Sequence, residues 1–197
     1  MNLDDLRKKI DSMDAELVRL LNERTGIVLE IGKLKRSQGE EVYVPAREKE
    51  VLDRVSKLNE GPLKADSVQA IYREIMSASL ALERNVVIAY LGPSATFTHQ
   101  AARSRFGGSV QYMDCETIGD VFGAVEKKRA DYGVVPIENS TDGAVTHTYD
   151  QFTDTTLKIC AEIYLPISHT LMAKVPREQI RRIYSKPEVF GQCRHWL

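Results

Sequence analysis

The sequence predicts two domains of different class, an all-helical one over residues 1–84 and an α/β one over residues 85–197. Three observations predict it. Residues 3–84 are almost entirely helix formers, and their one Gly-Pro pair, Gly61-Pro62, sits in a turn. From Val86 onward, short β-branched runs alternate with Gly, Pro and Asn. The change of pattern at Arg84–Asn85 is abrupt.

The first helix follows from spacing. Leu3, Leu6, Ile10, Met13, Leu17, Leu20, Ile27, Ile31 and Leu34 recur every three or four residues and line one face. Nothing breaks the run from Leu3 to Ser37, which makes a helix of about 50 Å. That is too long for a lone helix in a small monomer, so a partner chain is expected, in a coiled coil or an intertwined bundle. Gly39 and Pro45 bracket a loop. A second helix places Val51, Leu52, Val55 and Leu58 inward. A third, Ala65–Arg84, places Val68, Ile71, Tyr72, Ile75, Met76 and Leu80 inward.

In the second half, VVIAYL (86–91) reads as a strand and GPSATF opens a helix that runs to about Phe106. VQYMDC (110–115) is the next strand, with a helix over 117–128. YGVVPI (132–137) is a continuous apolar run, as in a strand covered on both faces, and ENSTDG is the loop after it. TLKICAEIYLPISHTLMA predicts one or two strands, IRRIYS another, and EVFGQCRHWL a helix. The alternation favours a mostly parallel sheet.

Composition narrows the function. Lys and Arg number 27 against 28 Asp and Glu, a balance that argues against nucleic acid as partner. No apolar run approaches the roughly 20 residues that span a bilayer, so no membrane association is expected. MNLDDLRKKIDSMD lacks the apolar stretch of a signal peptide, which leads to a cytoplasmic expectation. Cys115, Cys160 and Cys193 are far apart without a CxxC pair, and read as reduced thiols. His99, His147, His169 and His195 lack metal-ligand spacing and read as structural or exposed. Neither GxGxxG nor a P-loop accompanies Gly92, so no nucleotide, cofactor or metal is expected.

The informative residues interrupt the helical stripes. Position 24, where the alternation from Leu20 continues, is Arg, and the Tyr72–Ile75 face of the third helix continues to Ser79 and Glu83. Lys35 lies a turn beyond Ile31, and Arg47-Glu48 opens the second helix. A charge in a packed face is costly unless paired. Arg7, Arg24, Lys35 and Arg47 facing an interior with only Glu48 and Glu83 would call for an anionic ligand. The alternative is solvated pairing, Arg24 with Glu23 or Glu30 and Arg47 with Glu50. Arg7 and Arg24 are seventeen residues apart, roughly 25 Å along one helix, too far to grip one small molecule. In an antiparallel pair Arg7 of one chain meets Arg24 of the other, which predicts a homodimer with shared sites.

LRKKIDSMDAELVRLLNERTGIVLEIGKLK, VPAREKEVL and IYREIMSASLALER resemble the all-helical chorismate mutases, specifically the form fused ahead of prephenate dehydratase in bifunctional P-proteins. The resemblance implies an intertwined-dimer helical domain that converts chorismate to prephenate. By position, Arg24 and the other chain's Arg7 would hold the substrate's carboxylates. Lys35 would contact a carboxylate and the ether oxygen, Glu48 the ring hydroxyl, and Glu83 the ether oxygen. Arg47 and Ser79 would lie beside the pocket. Val44 stands where some relatives carry Asp, and Glu83 where others carry Gln, so Glu83 has to be protonated to donate a hydrogen bond.

YLGPSATFTHQAA, DCETIGDVFGAVE and ADYGVVPIENSTDG resemble the first lobe of prephenate dehydratase, and IYSKPEVFGQCRHWL the start of its second lobe. The resemblance implies a two-lobed α/β domain like the periplasmic binding proteins, here incomplete. Glu138, Asn139, Ser185 and Gln192, with Thr96, Thr98 and Ser140, would bind prephenate. Lys186 replaces a residue that is often His. Asn139 and Ser140 follow a buried strand, where open sheets gather ligands, although Asn139 can equally be a turn residue that caps the next helix. The family's Thr-Arg-Phe segment and its phenylalanine-sensing domain have no counterpart, so either a fragment of a longer P-protein or a truncated gene product is expected, in both cases without dehydratase turnover. A competing reading is a non-catalytic helical dimerisation module joined to a ligand-binding α/β sensor fragment.

Overall fold

The computed structural model describes residues 2–39, 45–140 and 143–197. Val44 and the rest of the loop expected after Gly39 lie outside the described residues, as do Thr141 and Asp142 of the ENSTDG loop. By their contacts the residues form two compact units, Met1–Ile88 with Arg103–Tyr112, and Ala89–Ala102 with Met113–Leu197.

Among the described residues up to Arg84, the helical unit has three helices. Helix α1, Leu3–Gln38, is 36 residues long. Asn2 and Asp5 close its start as a reciprocal capping box, each side chain accepting from the other's backbone N–H at 2.9 and 3.0 Å. Gly39 ends it at φ +70°, a left-handed turn that suits glycine. Helices α2, Pro45–Leu58, and α3, Ala65–Glu83, pack on each other, and α1 packs on α3. Val51, Val55 and Val68 form the core between α2 and α3, with Tyr72 and Met76 against it.

Two features differ from the sequence reading. The apolar stripe of α1 does not enter a core: Leu3, Leu6, Ile10, Met13, Leu17, Leu20, Ile27, Ile31 and Leu34 are 42–64% exposed, because the described residues of one chain do not cover so long a face. Leu58 and Ile71, expected inward, are also exposed. Leu58 is the last residue of α2, beyond the stretch that α3 covers.

In the α/β half, β1 (Val87–Leu91), β2 (Gln111–Cys115) and β3 (Tyr132–Val134) form a sheet in the order β2-β1-β3. Gln111 N–H donates to the Val86 carbonyl and Gly92 N–H to the Cys115 carbonyl. Low number pairs with low and high with high, so β1 and β2 run parallel. Helices α4 (Phe97–Phe106) and α5 (Ile118–Glu126) follow β1 and β2. A capping box of Thr117 and Asp120 starts α5. The ribbon β4 (Glu138–Asn139) and β5 (Gly143–Ala144) is antiparallel, and α6 (Thr146–Asp154) packs on α5. Helix α7 is Pro187–Cys193.

The run YGVVPI yields a strand of only three residues at the edge of the sheet, half-exposed rather than covered on both faces. Residues 156–173 and 180–185 form no strand, contrary to their pattern. Alternating apolar residues become a strand only beside a ladder partner, and none of the described residues pairs with them.

Ile88 is fully buried in β1, the middle strand of its sheet, whereas Leu58 is exposed. Ile88→Ala is expected to cost about 2–5 kcal/mol, and Leu58→Ala less than about 0.5 kcal/mol. Urea unfolding of both variants checks the contrast.

Candidate functional sites

The polar residues on the α1 and α3 stripes meet each other. Arg24 Nη1 points at Ser79 Oγ across 3.5 Å, a long hydrogen bond, while Ser79 Oγ donates to the Ile75 carbonyl at 2.9 Å. Glu23, one possible solvated partner of Arg24, is instead bound by Arg19, which also holds Glu16. Further along α1, Arg36 Nη1 donates to the Glu83 carbonyl at 3.4 Å.

The Glu83 carboxyl rests on α1 at Gly32, the one buried residue described on that helix. A Cβ at Gly32 would overlap the Glu83 carboxyl oxygen and come within 2.8 Å of its carboxyl carbon. Burial pushes the Glu83 pKa above the ordinary glutamate range, and it prevails over the opposing charges of Arg36, Lys35 and Arg84. The structure therefore gathers Arg24, Ser79 and Glu83 at the α1–α3 contact, with Lys35 close enough to act on Glu83.

The other expected residues lie elsewhere. Arg7 is exposed and pairs with Asp4 at 3.4 Å. Arg47 is exposed and pairs with Glu50 at 2.7 Å, the solvated alternative. Glu48 is buried, with Arg105 Nη2 at 3.4 Å from its Oε2. Gly32 and Arg105 escaped sequence reasoning. A glycine inside a helix is a faint signal of close approach. The Arg105 contact had none, since Arg105 also reaches the Pro45 carbonyl 60 residues away.

In the α/β unit, Gly92 turns at φ +84° with its N–H on the Cys115 carbonyl at 2.7 Å. Thr96 Oγ1 donates to the Pro93 carbonyl at 3.0 Å and accepts from His99 N–H at 3.3 Å, so it fastens the loop to α4. Thr98 is half-buried in the first turn of α4. Glu138 and Asn139 form β4, and Ser140 is the turn after it. Asn139 does not cap α6, whose cap position is Val145. Gln192 Oε1 lies 2.8 Å from His169 Nε2, and the His169 ring meets Phe97 edge-on at 5.5 Å. His169 thereby links the Gly-Pro loop to Gln192, a structural role. Ser185 is exposed, just ahead of the Lys186 that caps α7. Among the described residues no cluster of His, Cys, Asp or Glu can hold a metal, and no helix is long and apolar enough to cross a membrane.

Residues 88–197, more than half of the chain, match the family model for prephenate dehydratase. The chain belongs to the prephenate dehydratase family. Residues 6–84, ahead of that segment, match the model for chorismate mutase type II. The bifunctional chorismate mutase/prephenate dehydratase of Aquifex aeolicus is 46% identical over 200 residues, which take in 99% of this chain and 55% of the relative. That of Neisseria gonorrhoeae is 47% identical over 193 residues, 97% of this chain and 53% of the relative. A solved chorismate mutase (Form II) from Thermus thermophilus is 40% identical over 41% of this chain and 92% of its own, with a TM-score of 0.41. The chain spans about half the length of the curated relatives it matches. The order of the two segments, mutase-type and then dehydratase-type, is the order in which the names of these relatives give the two activities.

The raised pKa of Glu83 has a consequence for stability. The folded chain binds this proton more tightly than the unfolded chain, so the stabilisation is complete below the unfolded pKa and is lost as pH rises through the folded value. Urea midpoints taken across that window should fall with pH in the wild-type chain and fall less in Glu83→Gln.

Proposed function

We propose that residues 1–84 form a chorismate mutase domain and residues 85–197 a prephenate-binding dehydratase domain of a P-protein, working in the cytoplasm. The observation that carries the mutase reading is the Glu83 carboxyl, packed on Gly32 and biased toward its neutral form beside Lys35. Three free cysteines fit a reducing compartment.

The rearrangement of chorismate is pericyclic, so the site requires no nucleophile, base or cofactor. Catalysis consists of holding the reactive conformer of a dicarboxylate and stabilising negative charge as the ether C–O bond breaks. On this reading Lys35 and protonated Glu83 donate to the ether oxygen. Arg24 and Arg7 of the partner subunit hold the carboxylates, Glu48 accepts from the ring hydroxyl, and Arg47 and Ser79 border the pocket. Arg24 is already turned inward onto Ser79, and a substrate carboxylate replaces that long contact with a charge-assisted one.

The homodimer is part of the proposal. Its support is the exposed stripe of α1, and the position of Arg7 so far from Arg24 on the same helix. In the dehydratase domain Glu138, Asn139 and Ser140, with Thr96, Thr98, Ser185 and Gln192, are assigned to prephenate.

Incubation of the 197-residue chain with chorismate, with products identified by mass spectrometry against an uncatalysed control, tests the reading. Prephenate above the control is expected, and its absence from a folded dimer would leave a non-catalytic module. Arg24→Ala should lower kcat/KM by about 100-fold or more in a folded dimer. Activity should decline as pH rises through the Glu83 pKa, and Glu83→Gln should flatten that profile. An unchanged profile in this variant would remove Glu83 as the proton donor.

A further inference from the structure

The chain that ends α4 and leads into β2, Arg103–Tyr112, belongs by its contacts to the helical unit. It is fastened to α3. Gly108 N–H donates to Glu74 Oε2 at 2.9 Å, and Ser109 N–H donates to Ser77 Oγ at 3.1 Å. Between Phe106 and Gly108, buried Gly107 turns at φ +76°, so close to α3 that a Cβ there would stand 2.5 Å from the Ser77 Cβ. Phe106 and Val110 are buried on either side.

This strap delivers Arg105 to the start of α2. Its Nη2 lies 3.4 Å from Glu48 Oε2 and donates to the Pro45 carbonyl at 3.5 Å. The Glu48 side chain is 9% exposed and that of Arg105 21%. The buried Arg105 Nε has no hydrogen-bond partner among the described residues. A carboxylate so buried is expensive without a cation, and the planar guanidinium can face both the carboxylate and the carbonyl at once. Arg105 lies outside residues 6–84, the segment that matches the mutase family, and inside residues 88–197, the segment that matches the dehydratase family.

We propose that Arg105 is a positioning residue for the mutase reaction, holding the Glu48 carboxylate in place for the ring hydroxyl of chorismate. The dehydratase-family segment thereby completes the mutase site. This rests on the reading of Glu48 given above.

The test is a double-mutant cycle on the full chain with chorismate as substrate. Arg105→Met should lower kcat/KM roughly tenfold or more, since a misplaced contact group is costly. Arg105→Lys should recover part of the loss, and Arg105→Met should add little once Glu48 is Gln. Melting curves on each variant separate misplacement from unfolding, and Arg105→Gln replaces Arg105→Met if the latter does not fold. An active wild-type chain whose Arg105 and Glu48 losses simply multiply, or whose Lys variant is no better than Met, would overturn the proposal alone. A wild-type chain that leaves chorismate unchanged would overturn the mutase reading and this proposal with it.

Discussion

Helix α3 has to satisfy three neighbours at once. Successive residues step by about 100° around a helix, so Val68, Tyr72, Met76, Ser79 and Glu83 share one side while Glu74 and Ser77 lie on another. The N-terminal part of the first side is apolar and closes the core with Val51 and Val55 of α2. Its C-terminal part, Ser79 and Glu83, is polar and faces α1. The other side carries the strap, through Glu74 and Ser77. A stripe that begins apolar and ends polar cannot be closed by packing alone, and that is the physical origin of the candidate site.

The ionic arrangement on α1 sorts the cations. Arg19 sits between Glu16 and Glu23 and binds both in solvent. Such exposed pairs contribute little stability, roughly 0–1 kcal/mol. Their effect here is to occupy Glu23, so that Arg24 extends toward Ser79 instead. Glu83 is treated differently. It sits where α1 has no side chain, at Gly32, and loses hydration on that side; nearby Lys35 and Arg36 only partly compensate. Burial and charge therefore oppose each other at one carboxyl, and burial prevails.

Much of this was legible in the sequence. The helices follow from breaker-free periodic runs, and their ends from Gly39 and Pro45. The polar interruptions at Arg24, Ser79 and Glu83 marked the α1–α3 contact because they fall where apolar residues belong. Glu48 was legible as a buried charge, but its cation was not, since Arg105 reaches it through a strap whose anchors are backbone N–H groups that no side-chain pattern reveals. Residues 156–173 failed in the opposite direction. Their alternation is strand-like, yet a strand is a property of a pair, and no described residue supplies the other half of the ladder. Leu58 was misplaced because periodicity assigns a face without saying how far along the helix that face is covered, and Ile71 because it lies off the buried side of α3, about 100° around the helix from Tyr72.

The exposed stripe of α1 and the position of Arg7 bear on each other. On the proposed reading, one chain offers Arg24, Lys35 and Glu83 for a substrate with two carboxylates, and its own Arg7 lies roughly 25 Å away along the helix axis. The side chains that would bury the stripe in a dimer and the arginine that would complete the site are on the same helix, so the contact that removes apolar surface from water also delivers the missing charge. Assembly and substrate binding are then linked by mass action, each favouring the other. Arg105 extends the same logic within one chain: the strap fastened to α3 carries a cation that pairs with Glu48. On the two proposals, a surface that residues 1–84 leave open would be met by a segment beyond them, of the partner subunit in one case and of the same chain in the other, and the charged residue on that segment would serve the site.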